Sequence, residues 1–149
     1  MPPERWHLTL LFLGTVPADR TGELTAGLGA AVDGTPPLRL RLAGTGRFGS
    51  RRRPAVAWAG IDGDVGPLTE LAGRLAASAL RLRLPVEDRP YRPHLTVGRW
   101  RPGHPADGHL LDAVAGYAGP AWQVSEVLLL RSFLGPTPRY EPVEIWPLS

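Results

Sequence analysis

Two tripeptides, His7-Leu8-Thr9 and His94-Leu95-Thr96, carry the residue types and spacing best suited to chemistry in this 149-residue chain. Side chains two apart in an extended strand share a face, so each tripeptide presents one imidazole and one hydroxyl together while its leucine turns to the other side. Free imidazole has a pKa of about 6.5, so near neutral pH one ring can give a proton while another takes one. Two rings flanking one phosphorus would suffice to open a cyclic phosphodiester: a base takes a proton from water and an acid protonates the departing ribose oxygen. The threonine hydroxyls would donate to the non-bridging oxygens, where charge gathers as water adds. This scheme calls for no metal and no cofactor. A single His-x-Thr reads more simply as two ordinary strand residues with hydrogen-bonded partners. Its repetition, in a chain with no cysteine to supply a thiolate, favours a paired site.

Each motif opens a similar run of elements. Residues 6–14 are β-rich and apolar and predict a largely buried strand, closed by Gly14 and Pro17. Leu24, Leu28, Ala31 and Val32 recur at helical spacing until Asp33-Gly34. Residues 38–43 alternate leucine with arginine, the period of a strand with one wet face. Residues 44–54 read as a loop from their glycines, 55–61 as a strand, and 67–82 as an amphipathic helix. A proline-rich stretch then leads to a short strand over 94–100, a short helix near 110–117, a strand over 122–133, a turn at Gly135-Pro136 and a last strand over 140–146. The expectation is one α+β domain with two pseudo-repeats, about 5–62 and 92–149, joined by the helix of 67–82. Each repeat would supply one antiparallel sheet, the two sheets facing a central cleft with helices outside.

Composition is that of an ordinary globular chain, 43% hydrophobic and 21% charged, with no apolar run long enough to span a membrane and no secretory pattern at the start. A cytoplasmic location is expected. The net charge of +3 suits a polyanionic partner such as RNA. All 17 basic residues are arginine, however, so biased coding composition explains the charge equally well.

The longer segments around the two motifs resemble the two-histidine phosphoesterases, and among them the RNA 2′,3′-cyclic phosphodiesterases formerly called 2′-5′ RNA ligases. Residues 5–14 (RWHLTLLFLG) look like that family's first motif and residues 89–99 (RPYRPHLTVGR) like its second. Gly46-Arg47-Phe48 with residues 56–60, and residues 127–133 with 140–148, resemble the remaining strands. The resemblance implies hydrolysis of a 2′,3′-cyclic phosphate end to a 2′-phosphate, with His7 as proton donor to the leaving 3′ oxygen and His94 as proton acceptor from water. The near-equivalent motifs do not by themselves assign those roles. It also implies a strand and helix ahead of the first motif, where this sequence has six residues. A first lobe lacking both is therefore expected, in a monomer or in a dimer paired through the uncovered edge.

Secondary contacts are read more simply. Phe48, between glycines, is a candidate for stacking on a nucleobase or for core packing. Arg51, Arg52 and Arg53 are candidate phosphate contacts or a solvated loop. Arg99 stands at an odd offset from His94 and would point away from it unless the strand bulges at Gly98. Tyr91 and Arg131 are further substrate-binding candidates with adequate readings as wall or surface residues. His104 and His109 read as solvated. Three alternatives remain open: a related enzyme acting on ADP-ribose cyclic phosphate, one acting on 2′-5′ oligonucleotides, and an RNA-binding module without turnover.

Overall fold

The structure, a computed structural model, describes residues 3–50, 52–101 and 109–149. Its elements in chain order are α1 (Thr21–Val32), β1 (Leu38–Gly49), β2 (Pro54–Gly63), α2 (Val65–Arg81), β3 (His94–Arg99), α3 (His109–Ala113), β4 (Trp122–Val124), β5 (Glu126–Phe133) and β6 (Arg139–Pro147). They divide into two compact units that interleave along the chain. One comprises Met1–Thr9, Arg39–Val65 and Arg92–Trp122, the other Leu10–Leu38, Gly66–Tyr91 and Gln123–Ser149. No helix among the described residues is long and apolar enough to cross a membrane.

The first unit is built on a four-stranded sheet of order β3-β2-β1-β4, in which β1 with β2 and β2 with β3 are antiparallel. This sheet takes two strands from each expected repeat, so the repeats do not each build a sheet of their own. The glycines of 44–49 do not mark a loop, and β1 runs straight through them. Gly44, at φ +73°, takes up a bulge between Leu42 and Thr45, a conformation that costs a residue without Cβ little. Only the short turn between Gly49 and Pro54 remains, where Ser50 Oγ accepts from the Arg53 amide at 2.9 Å.

In the second unit, the predicted helices form with the expected inward faces. Leu24, Leu28, Ala31 and Val32 of α1 are buried, as are Leu68, Leu71, Leu75 and Ala79 of α2. Arg74 of α2 donates to the Ala31 carbonyl at 3.1 Å and to Thr35 Oγ1 at 2.7 Å, placing a cation where the last turn of α1 leaves carbonyls unpaired. Close approach of α1 and β6 requires Gly29, since a Cβ there would lie 2.8 Å from Trp146 Nε1. Strands β5 and β6 form a separate two-stranded antiparallel sheet.

Three further expected elements differ. The single strand of 122–133 is two strands, β4 and β5, which break at Ser125 and belong to different sheets. The short helix ends at Ala113 rather than near Tyr117. The buried strand of 6–14 reduces to one bridge at Leu8, and Phe12 within it is 70% exposed. The division between the units falls after Thr9, so the segment leaves its neighbour β3 after that one bridge instead of extending a ladder.

Candidate active site

Both His-x-Thr motifs lie in the first unit and meet along one line. Leu8 bridges Leu95 in antiparallel sense. The register set by that bridge puts His7 across from Thr96 and Thr9 across from His94, and alternation turns all four side chains to one face while both leucines turn to the other. His7 and His94 are then diagonal neighbours across the bridge. The motifs thus meet side by side, the first bridging the edge strand β3 of the four-stranded sheet at Leu8, and not from two sheets across a cleft.

The row continues into β2 and β1. Thr96 pairs with Trp58, and Trp58 with Gly46; His94 pairs with Gly60. Ala59, behind this face, is buried opposite Leu95. Gly60 permits the close passage of β1, because a Cβ there would lie 2.4 Å from the Ala43 carbonyl oxygen.

Each imidazole is tied down in the same way. His7 Nδ1 lies 2.9 Å from the carbonyl oxygen of Arg5, and His94 Nδ1 lies 2.7 Å from that of Arg92. A carbonyl can only accept, so in each neutral ring Nδ1 carries the hydrogen. The motif is therefore longer than it reads: Arg-x-His-x-Thr occurs twice, and its arginines serve through their backbones.

Arg99 reaches the same face because β3 bulges. Two residues of β3, from Thr96 to Gly98, oppose the single step from Trp58 to Ala57, so the alternation slips by one and Arg99 pairs with Val56, on the side of Trp58. Arg99 is exposed there. Phe48 is on β1, not in a loop, and its ring meets that of His94 edge-on, with centroids 4.9 Å apart and planes at 89°. Tyr91 belongs to the second unit. Burial pushes its hydroxyl up to about 12 from the ordinary 10.0. Arg131 projects exposed from β5, opposite Glu141, also in the second unit. Arg51 and His104 lie outside the described residues, and His109 opens α3.

Sequence reasoning missed Trp58, whose ring centroid is 6.2 Å from that of His94. The available signal was a lone large side chain between Ala55, Ala57 and Ala59, which places bulk on one face of the strand and almost none on the other. A surface groove farther along β1 and β2 is lined by Arg39, Arg41, Asp62 and Asp64. There the Arg41 guanidinium donates to Asp62 at 2.9 Å and, with the Gly63 amide, holds its carboxyl below the usual carboxylate range. The groove contains none of the His-x-Thr residues. No group of three or more His, Asp or Glu side chains suited to a metal ion occurs among the described residues.

Comparison with known proteins identifies the family. The chain is 33% identical over 146 residues to an RNA 2′,3′-cyclic phosphodiesterase of Geobacillus stearothermophilus; the match covers 97% of this chain but 46% of that protein, so the chain spans less than half of its length. Among solved structures, a Thermus thermophilus protein superposes with a TM-score of 0.82 at 31% identity, covering 99% of this chain and 80% of that one. Escherichia coli LigT complexed with 3′-AMP superposes with a TM-score of 0.76 at 28% identity, covering 100% and 84%. The sequence pattern of the 2′-5′ RNA ligase superfamily matches residues 2–133, a span that takes in both histidine motifs, the sheet carrying them and most of the second unit. By fold and by sequence together, the chain belongs to the 2′-5′ RNA ligase superfamily, among the LigT-like RNA 2′,3′-cyclic phosphodiesterases.

Proposed function

We propose that this chain hydrolyses 2′,3′-cyclic phosphate ends of RNA or nucleotides to 2′-phosphates by acid–base catalysis between His7 and His94. The observation that supports the proposal is the Leu8–Leu95 bridge, whose antiparallel register brings residues 7, 9, 94 and 96 to one face of the pair. In the reaction, His94 Nε2 takes a proton from water as the water oxygen bonds to phosphorus. The P–O3′ bond breaks, and His7 Nε2 delivers its proton to the departing 3′ oxygen. Thr9 and Thr96 donate to the non-bridging oxygens. Arg99 adds a cation on the same face. The order of the histidines follows the family resemblance. The Nδ1–H bonds to Arg5 and Arg92 supply what both roles need, a fixed ring with Nε2 as the reacting atom.

The experiment is hydrolysis of 2′,3′-cyclic nucleotides followed by phosphorus NMR. The expected product is the 2′-phosphate alone, formed equally in EDTA, with a bell-shaped dependence of rate on pH. His7→Ala and His94→Ala should each lower the rate by at least about 10²-fold. Loss of activity in EDTA, or full activity in either alanine variant, overturns the mechanism. A parallel panel of ADP-ribose cyclic phosphate and 2′-5′-linked dinucleotides separates the related substrates. The RNA-binding alternative predicts binding without turnover in excess substrate.

A further inference from the structure

Two aromatic side chains touch the His94 ring and each other. Phe48 meets it edge-on, Trp58 stands 6.2 Å from it at 57°, and the Phe48 and Trp58 centroids are 5.6 Å apart at 41°. Trp58 takes its position by lying across Gly46, its partner on β1, where a Cβ would come within 2.2 Å of the indole. Any other residue at position 46 would lift the ring. The indole also buries its Nε1–H with no hydrogen-bond partner among the described residues, an arrangement that costs free energy. What the sheet keeps at position 58 is therefore the shape of the ring.

An imidazole turned by half a rotation about its Cβ–Cγ bond exchanges Nδ1 for carbon and loses its bond to the backbone. The Arg92 carbonyl rewards one orientation, and rings packed on the imidazole raise the cost of leaving it. We infer that Gly46, Phe48 and Trp58 form an aromatic brace that positions His94, holding its Nδ1–H on Arg92 and its Nε2 ready for the reacting proton. Gly46 acts through Trp58, and Trp58 through His94; none of the three exchanges a proton. The catalytic consequence rests on the function proposed above, whereas the ring orientation does not.

The test reads ring state and rate separately. Nitrogen-15 NMR of the histidine side chains, at a pH where the rings are neutral, distinguishes the Nδ1–H form from its tautomer. Wild-type protein should show His94 in the Nδ1–H form. Trp58→Phe, which keeps an aromatic ring but gives up the N–H and part of the fused ring system, should preserve that signature and the rate far better than Trp58→Leu. Trp58→Leu and Gly46→Ala should both mix the His94 tautomers and lower kcat by about tenfold or more with KM little changed, while the His7 signals stay put. Phe48→Leu, at a less crowded position, gives the same readout should either of those variants fold poorly. Wild-type His94 signals in Trp58→Leu, Gly46→Ala and Phe48→Leu alike would overturn the brace, whatever their rates. So would a Trp58→Phe spectrum as perturbed as that of Trp58→Leu. A wild-type chain that hydrolyses no cyclic phosphate would sink the proposed function and still leave the NMR comparison to decide the brace.

Discussion

At the scale of single residues, the four side chains proposed to carry the chemistry are also the four that the sequence displays most openly. Alternation alone pairs a histidine with a threonine, and duplication of the pair announces a site. The threonines carry a quantitative expectation. If each hydroxyl donates to an oxygen that gains charge as water adds, Thr9→Val or Thr96→Val removes one oxyanion donor at nearly constant volume. Single-turnover hydrolysis should then slow by roughly 10²–10³-fold, with substrate binding changed far less. A rate within experimental scatter of wild type would return the hydroxyls to an ordinary structural role. The backbone contributions were harder to see. That Arg5 and Arg92 matter through their carbonyls is invisible in a pattern of side-chain types, although the recurrence of arginine two places before each histidine was there to be counted. Trp58 escaped for a related reason. Its significance lies in Gly46 across the sheet, a partner that register supplies and local sequence does not.

At the scale of elements, legibility followed the strength of periodicity. α1 and α2 carry leucines at helical spacing; α2 formed within two residues of its expected bounds, and α1 ended where Asp33-Gly34 was expected to stop it. Leu71 of α2, 1% exposed, shows what that periodicity is worth. Leu71→Ala should lower the unfolding free energy by about 2–5 kcal/mol, measured by urea denaturation, because little around a fully buried leucine can collapse into the space it leaves. A loss below about 1 kcal/mol would mean that α2 is packed far more loosely than its burial indicates. Strands were less legible wherever glycine intervened. Gly44, Gly46 and Gly49 read locally as a loop, yet within β1 they serve a bulge, a tryptophan and a turn. The bulge in β3 belongs to the same class. It turns Arg99 onto the histidine face, as the conditional reading of Gly98 allowed, but only pairing with β2 decides that it occurs. The break at Ser125 was hidden because both fragments favour strand, and nothing local says that they serve different sheets.

At the scale of the whole molecule, the distribution of charge says more than the net value of +3. Residues 44–60 and 91–101 contain seven arginines and no carboxylate. Elsewhere several arginines are ion-paired, Arg20 with Glu23, Arg41 with Asp62, Arg89 with Glu87 and Arg139 with Glu141. Strand pairing brings exposed arginines of these two segments together at one end of the four-stranded sheet. The β1–β2 turn carries Arg52 and Arg53, both exposed, and the end of β3 runs beside it, with Arg99 opposite Val56 and the Trp100 amide donating to the Ala55 carbonyl at 3.1 Å. Biased coding would scatter arginine without regard to the fold; a surface that follows RNA would collect it next to the catalytic face. The two readings part in their salt dependence. For an RNA oligonucleotide ending in a 2′,3′-cyclic phosphate, each phosphate neutralised contributes about −0.7 to the slope of log(kcat/KM) against log salt. Arg52→Ser combined with Arg53→Ser should therefore make that slope shallower by about 1.4 if each arginine meets one phosphate. Hydrolysis of a cyclic mononucleotide, which has no chain to lie along the turn, should keep its slope in the same variant. An unaltered oligonucleotide slope would mean that these arginines are merely solvated and that composition, not binding, accounts for the charge.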